Sequence, residues 1–200
     1  MTMPGTKLTP SDLLSLEDYH RQRPAFRRRV IEEKKRRRLD IGDHAHLYFE
    51  NRLTMHYQVQ EMLRAEKIFE PEGIGDELAA YNPLIPDGDN FKATMMLQYT
   101  NVDERRAALA RLVDIESHVW LRVANFERQY AIADEDAERA TEDKTSAVHF
   151  LRFALDTARC EALKGGAALA FGIDHPHYNY AVEPVDDNLA DALREDLSWG

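Results

Sequence analysis

Apolar positions along the chain recur at two spacings, one typical of helices and one typical of strands. Spacing of three and four residues, with capping and glycine signals at the ends, predicts helices at 24–38, 53–69, 72–81, 103–114, 157–164 and 186–197. Alternating or short apolar runs predict strands at 44–50, 91–99, 118–124, 128–133, 146–155, 167–174 and 178–182. Because these elements do not alternate in a βαβ rhythm, we expect an α+β fold with a mixed or mainly antiparallel sheet and helices packed on it.

The pattern also predicts how the chain is organised. Residues 1–41 are expected to form a basic helical arm and residues 42–200 an α+β domain, the two together making one structural unit. Pro24 should break or restart the helix of the arm, because proline lacks the N–H that a helix interior needs. Residues 146–155 are apolar on both faces, which predicts a strand in the middle of the sheet. The acidic segment 134–143 is expected at the surface.

Charge is distributed unevenly along the chain. Of its 26 Lys and Arg and 36 Asp and Glu, ten basic and two acidic residues lie between Arg21 and Arg38, which gives this segment a net charge of +8 and the remainder −18. The segment is either a solvated helix lying against its own acidic body, supported by the pairs Glu32–Arg36 and Glu33–Arg37, or an arm that docks an acidic partner. Nucleic acid is the less favoured partner, because the acidic body would repel phosphates.

Composition and motifs narrow the function classes without choosing one. The 200 residues hold a single cysteine, Cys160, which excludes an intramolecular disulfide and a metal site made only of cysteines. The N-terminus lacks the pattern of a signal peptide, and no apolar run approaches the ~20 residues of a membrane span, so we expect a cytoplasmic protein without membrane contact. Phosphate-loop, GxSxG, HExxH and CxxC motifs are absent. We therefore expect no nucleotide cofactor, and the sequence leaves open whether the protein is an enzyme.

Histidines carry the strongest signal for chemistry. The pattern Asp-His-x-His occurs twice, as Asp43-His44-Ala45-His46 and as Asp174-His175-Pro176-His177. In an extended chain the two imidazoles of such a pattern lie on one side, roughly 7 Å apart along the strand, within reach of one metal ion. Pro176 removes a backbone donor and biases His175 towards an extended conformation, so this pattern should end a strand or lie at a sheet edge.

A third histidine, His149, shares the face of its predicted strand with Leu151 and Phe153 and is expected to be buried. Such a histidine is either a core residue bonded to a carboxylate or carbonyl, or a metal ligand or proton carrier. Glu50 and Glu61 are the carboxylates that we expect near it, although Glu61 also fits a surface position. The predicted metal ligands are thus His44, Glu50, Glu61, His149, Asp174, His175 and His177, for iron, zinc or manganese.

Six segments, distributed over nearly all of the chain, carry a family resemblance. They are GDH at 42–44, FENR at 49–52, YQVQEMLR at 57–64, YNPLIPDG at 81–88, KTSAVHFLRF at 144–153 and FGIDHPHY at 171–178. These segments resemble a bacterial family known only as a domain of unknown function, number 3501, which has no established activity. Members of that family are often encoded near rubrerythrin-like and iron–sulfur oxidoreductase proteins, so the resemblance implies a redox or peroxide-stress setting. The family pattern has no second histidine at the place of His46, which weakens His46 as a ligand.

Two functions from different classes follow from the sequence. The first is a cytoplasmic metal-binding protein, a small oxidoreductase or its accessory, in which His149, His175 and His177 hold the ion and a redox partner supplies electrons. This hypothesis requires the three histidines to converge in space. The second is a non-catalytic interaction module that docks an acidic protein through segment 21–38, in which case the histidines are scattered and binding weakens steeply with salt. Self-association into a homo-oligomer is compatible with both functions.

Overall fold

The computed structural model describes residues 5–133 and 144–198, and within them eight strands form two antiparallel sheets. The strands are β1 (Arg38–Ile41), β2 (Ala45–Phe49), β3 (Asn90–Leu97), β4 (Val119–Val123), β5 (Gln129–Tyr130), β6 (Val148–Ala154), β7 (Leu169–His175) and β8 (Tyr178–Val182). The helices are α1 (Leu16–Arg36), α2 (Arg52–Glu66), α3 (Pro71–Tyr81), α4 (Val102–Arg111), α5 (Thr157–Lys164) and α6 (Asp187–Arg194). The α+β class is confirmed, with two sheets where the sequence predicted one. The acidic segment predicted at the surface, 134–143, lies outside the described residues.

The two sheets face each other and enclose the main core. The first sheet has the order β1-β2-β3-β6 and the second β5-β4-β7-β8, and every neighbouring pair is antiparallel. Phe49 and Phe153 of the first sheet place their rings 5.0 and 5.3 Å from the ring of Phe171 in the second. Burying side chains of this size stabilises a fold by about 1.5–3 kcal/mol each, so this aromatic contact holds the sheets together.

The strand predicted for the middle of a sheet, β6, lies at an edge of the first sheet. Its outward-facing apolar residues Val148 and Phe150 are half-buried. Part of this edge is covered because Ile132, just beyond β5, pairs with Arg152 through two backbone hydrogen bonds of 2.8 and 2.9 Å. The apolar pattern on both faces therefore marks the place where the two sheets meet, and the prediction of a central strand was wrong.

At the opposite edges of the two sheets, Tyr178 of β8 joins the turn between β1 and β2. Its hydroxyl accepts hydrogen bonds from the backbone N–H groups of His44 and Ala45, both at 3.0 Å, and donates to the carbonyl of Ile41 at 2.6 Å. Gly42 allows this approach, because its φ is +66° and a Cβ there would lie 2.7 Å from the Tyr178 hydroxyl. One hydroxyl thus fixes the first sheet to the second.

The first helix continues through Pro24, where the sequence predicted a break. Pro24 is exposed, so water can replace the hydrogen bond that the proline cannot make. Tyr19 and Val30, before and after it, are buried and hold both halves of the helix against the body. Among the described residues, no helix is long and apolar enough to cross a membrane.

The helices at the N-terminal side form a second, smaller core beside the sheets. Its buried members are Leu8, Met55, Val59, Leu63, Leu78 and Ile85. Residues 38–41, where the sequence predicted the end of a helix, form β1 because Leu39 and Ile41 alternate with exposed residues. The β1–β2 hairpin therefore connects the basic helix α1 directly to the first sheet.

We expect Tyr178→Phe to lower the free energy of unfolding by about 1–3 kcal/mol, because it removes a hydroxyl that satisfies two N–H groups and one carbonyl. Urea unfolding followed by circular dichroism measures this change. Tyr180→Phe is the matched control on the same strand: Tyr180 is 47% exposed, so its hydroxyl should contribute less than about 0.5 kcal/mol. Equal stability of Tyr178→Phe and the wild type would contradict the role of this hydroxyl.

Candidate functional site

His149 lies in the main core with 0% exposure. Its Nε2 lies 2.9 Å from the carbonyl of Ser146 and 3.0 Å from Oγ1 of Thr145, and its Nδ1 lies 3.7 Å from Oε2 of Glu116. The carboxylate beside His149 is therefore Glu116, where the sequence predicted Glu50 or Glu61. The hydrogen bond to the Ser146 carbonyl matches the structural alternative for this residue, a core histidine bonded to a carbonyl or a carboxylate.

The two glutamates that were expected near His149 have other partners. Glu50 is buried just after β2 and accepts hydrogen bonds from Thr54 Oγ1 at 2.6 Å and from Thr94 Oγ1 at 2.8 Å. Glu61 accepts two hydrogen bonds from the Arg23 guanidinium, at 2.7 and 2.8 Å, and one from the Tyr19 hydroxyl at 2.6 Å. Glu61 consequently ties α2 to α1.

The first Asp-His-x-His pattern surrounds the start of β2, and its two histidines make separate contacts. Nδ1 of His44 lies 3.0 Å from the carbonyl of Gln98, and its ring stacks on that of Tyr99 with centroids 4.0 Å apart. Nδ1 of His46 lies 2.6 Å from Oδ1 of Asp40 on the neighbouring strand β1. Both imidazoles thus take part in contacts between neighbouring chain segments.

The second pattern, at the end of β7 as predicted, brings several groups together. The ring of His175 lies 5.1 Å from that of His118 and 5.7 Å from that of His177, measured between centroids. Asp174 lies beside them, with Oδ1 3.3 Å from Nδ1 of His118 and Oδ2 accepting from the Tyr130 hydroxyl at 2.6 Å. The sequence did not single out His118, because only the pairing of β4 with β7 places it beside Asp174.

His175, the central histidine of this group, uses both of its ring nitrogens. Nε2 donates to the carbonyl of Val113 at 3.1 Å, and Nδ1 accepts from the backbone N–H of His177 at 3.1 Å. A metal ion needs a free imidazole lone pair, and this hydrogen bonding leaves His175 none.

Within residues 5–133 and 144–198, no three His, Cys, Asp or Glu side chains form a group that could hold a metal ion. Of the seven predicted ligands, Asp174, His175 and His177 lie together at the end of β7, whereas His44, Glu50, Glu61 and His149 lie apart from them with other partners. The described geometry gives the metal hypothesis no support, and metal binding stays a prediction.

A different feature, a cleft in the helical layer, is the strongest candidate for a functional site. Its volume is about 410 Å³, and it lies between α1, the start of α2 and the residues that follow α6. Its apolar lining consists of Gly5, Phe26, Leu53, Ile85 and Pro86, and its polar lining of Arg29, Arg37, Asn51, Arg52, His56, Glu195 and Asp196.

One wall of the cleft is an ion network in which three carboxylates surround two arginines. Arg37 is 1% exposed, and its guanidinium bonds Asp196 at 2.7 and 2.9 Å and Glu33 at 2.7 Å. Arg36 bonds both Glu33 and Glu195. Burial raises the pKa of Asp196 to about 6, although the Arg37 charge opposes this shift. These charges are already paired with one another.

The other wall carries positive charge that the described chain neutralises only in part. Arg52 donates to Asp12 at 2.5 Å, whereas Arg29 has no ionic partner among the described residues. Arg52 and Leu53 are also the first two residues of α2, where the Asn51 side chain caps only the N–H of Thr54. The positive end of a helix dipole therefore adds to the charge of Arg29 on this wall.

His56 lies one turn further along α2 and lines the same wall. The ring of Phe26 packs edge-on against its imidazole, with centroids 5.1 Å apart. Nε2 of His56 is buried and has no hydrogen-bond partner in the described part of the chain. Burial, and next the positive charge of Arg52, lower the pKa of His56 below its ordinary value, so the ring is neutral at neutral pH.

Comparison with known proteins identifies the family. The family model described as "Protein of unknown function (DUF3501)" matches residues 7–197. The chain is also 52% identical to a novel protein of unknown function from Burkholderia pseudomallei, whose crystal structure superimposes with a TM-score of 0.90 over 96% of this chain and 100% of that one. No curated protein matches the chain.

The fold and the cleft define a class of α+β protein in which two facing antiparallel sheets carry a helical layer with a partly cationic cleft. The chain belongs to the DUF3501 family, as the six sequence segments predicted. Membership brings the fold with it and assigns no activity, so the function is argued from the cleft.

We expect Glu61→Gln to lower the free energy of unfolding at pH 7 by about 1–2 kcal/mol, because an amide cannot pair with Arg23 and the pair is partly exposed to solvent. Bonding to Arg23, assisted by Tyr19, lowers the pKa of Glu61 from 4.5 to about 2. The advantage of the wild type is complete above the ordinary pKa and is lost as pH falls from about 4.5 towards 2. Urea unfolding at several pH values measures it.

Glu66→Gln provides the control for this experiment, since Glu66 is exposed at the last turn of the same helix. It should leave stability unchanged at every pH. A constant difference between Glu61→Gln and the wild type from neutral to acid pH would rule out the Glu61–Arg23 pair as its source.

Proposed function

We propose that this protein binds a small organic anion, a carboxylate or a phosphate attached to an apolar group, in the cleft between α1, α2 and residues 195–196. The observation that carries the proposal is the wall formed by Arg29, Arg52 and His56, in which the Arg29 guanidinium lacks an ionic partner within the described chain. An oxyanion placed against this wall would pair with that guanidinium.

The chemistry of the wall supports an oxyanion over other ligands. A guanidinium presents a planar fork of N–H groups that matches the two oxygens of a carboxylate or phosphate. The uncapped N–H groups at the start of α2 are further donors, since a helix N-terminus favours negative charge. Carboxylates and phosphates share this chemistry, and direct binding measurements distinguish them.

The size and the apolar lining support a small organic ligand rather than an inorganic ion. A volume of about 410 Å³ falls within the range of roughly 300–1,000 Å³ that is usual for small-molecule sites. Phe26, Leu53, Ile85 and Pro86 offer contacts for the hydrocarbon part of the ligand, while the arginines hold its charged end. Binding, rather than a particular reaction, is what this lining supports.

Isothermal titration calorimetry with the full chain tests the proposal. The probes are benzoate, phenyl phosphate and inorganic phosphate, with benzamide as the neutral counterpart of benzoate. We expect an aryl oxyanion to bind and benzamide not to bind. Arg29→Gln should weaken binding at least about tenfold, because it removes a charged hydrogen-bond donor that contributes about 1.5–3 kcal/mol.

Arg28→Gln is the matched control, because Arg28 is the exposed neighbour of Arg29 and does not line the cleft. It should change the affinity by less than about twofold. Failure of both benzoate and phenyl phosphate to bind the wild type would overturn the proposal, and so would equal affinities of Arg29→Gln and Arg28→Gln.

The two functions predicted from the sequence remain as further proposals. Docking of an acidic partner is supported by Arg27 and Arg28, which are exposed on α1 and form no ion pair within the described chain; such binding weakens steeply with salt. Metal binding rests on the histidine pattern, and a redox role rests on that pattern and on the family resemblance. Elemental analysis of protein purified without chelator tests them, and near-stoichiometric iron, zinc or manganese that a His149→Ala, His175→Ala variant loses would support them.

A further inference from the structure

The outer edge of β8 is an open sheet edge. β8 ends the order β5-β4-β7-β8 and follows β7 through a tight turn at Pro176 and His177. The closing pair of such a hairpin exchanges both backbone hydrogen bonds, and bonded pairs then alternate along the ladder. The N–H and C=O groups of Asn179 and Ala181 therefore point away from β7. Both residues are exposed, and in the part of the chain that the structure describes neither backbone bonds another element.

The features that usually protect a sheet edge are missing from β8. Charged residues, prolines, bulges and very short strands keep natural edges from pairing with other molecules. β8 has five residues, Tyr-Asn-Tyr-Ala-Val, without charge or proline. The other edge strands differ: β1 carries Arg38 and Asp40, β5 has two residues, and β6 is bridged at Arg152. An uncharged edge of this length is suited to accept another strand.

We propose that β8 pairs with β8 of a second copy of this chain, antiparallel about Tyr180, so that the second sheets of the two copies join into one. Each copy would offer the N–H and C=O groups of Asn179 and Ala181 to the other. The lining of the cleft between α1 and α2 contains no residue of β8. This inference therefore does not depend on the proposed function.

The sequence of β8 favours a second copy over another partner. Antiparallel pairing about Tyr180 sets the two Tyr180 side chains opposite each other and Asn179 opposite Ala181, so no like charges face each other. Beyond the strand, position 177 comes opposite position 183, which brings the imidazole of His177 towards the carboxylate of Glu183. A two-fold axis makes every one of these pairings occur twice, as in the isologous interfaces of most homodimers.

The edge is already held in the conformation that pairing needs. The Tyr178 hydroxyl anchors the start of β8, and the ring of Tyr180 lies 4.8 Å from that of Tyr178. A Cβ on Gly42 would lie 2.9 Å from the Tyr180 ring, so this ring rests on the β1–β2 turn. Association then orders few further groups. A short strand buries less than the usual interface of about 1,600 Å², so we expect a dissociation constant of about 1–100 μM.

Sedimentation velocity of the full chain, from about 1 to 200 μM, measures this dissociation constant. Ala181→Pro removes the N–H that faces the second copy and leaves the pairing with β7 intact, so it should weaken the dimer at least about tenfold. Ala181→Ser is the matched control, because it keeps the N–H at the same exposed position; its dissociation constant should stay within about twofold of the wild type. Circular dichroism checks that each variant is folded. Asn179→Lys, which adds charge to the edge, should weaken the dimer as well and replaces Ala181→Pro if that variant does not fold.

Tyr180→Cys tests the register. Residues opposite each other at the non-hydrogen-bonded positions of an antiparallel pair have Cα atoms about 4.5 Å apart, within reach of a disulfide. Oxidation should therefore link Tyr180→Cys into covalent dimers. Tyr130→Cys is the control, since Tyr130 is 45% exposed against 47% for Tyr180 and lies on the opposite edge of the same sheet. It should stay unlinked, as should the wild type, whose Cys160 is buried.

Three results would overturn the inference. The first is a wild type that stays monomeric at about 200 μM, which would leave β8 to a strand of a different protein. The second is a dimer that Ala181→Pro and Asn179→Lys form as tightly as the wild type. The third is a dimer that dissociates at high salt, because pairing between backbone groups carries no net charge; such a dimer would point to the basic segment 21–38 instead.

Discussion

The buried guanidinium of Arg37 is the interaction on which the joining of the helices to the sheets depends. A charge removed from water costs several kcal/mol unless it is paired and hydrogen-bonded. The Arg37 guanidinium donates hydrogen bonds to the carboxylates of Glu33 and Asp196 and to the carbonyl of Ala192. Its own carbonyl accepts from the backbone N–H of Phe49 at 2.9 Å. One residue therefore fixes the end of α1, the end of α6 and the edge of the first sheet relative to one another.

The same pairing decides which charges of the basic segment can meet a ligand or partner. Arg36 and Arg37, at the end of α1, form ion pairs with the chain's own carboxylates, and Arg23 forms an ion pair with Glu61. Arg27, Arg28 and Arg29 keep their charge available. The net charge of +8 counts paired and available arginines alike, because a sum over the sequence does not show which side chains lie against acidic residues. The alternative of a helix lying against its own acidic body therefore describes Arg23, Arg36 and Arg37, and docking of an acidic partner stays a proposal.

Local features of this fold could be predicted from the sequence, whereas contacts between distant residues could not. Strand and helix positions follow from periodicity, a property of neighbouring residues, so β4, β7, β8 and α2 lie close to where the pattern placed them. Pro24 was misjudged because its effect depends on which side of α1 faces water. Glu116 was missed beside His149 because 33 positions in sequence carry no information on distance in space. The cleft was missed for the same reason: its lining comes from α1, the start of α2, the residues after α6 and the separate positions Gly5, Ile85 and Pro86.

The closure of the sandwich at both sides has a consequence for behaviour at high concentration. An open sheet edge presents unpaired N–H and C=O groups that can recruit a strand from another molecule. Here β6 meets the segment after β5 through the Ile132–Arg152 bridge, and β1 meets β8 through the Tyr178 hydroxyl. The bridge pairs one residue of β6 with the residue two beyond β5, and the Tyr178 hydroxyl bonds the last carbonyl of β1. The tyrosine that joins the sheets therefore also keeps a carbonyl of the edge strand β1 occupied, which leaves one acceptor fewer for a strand from another molecule.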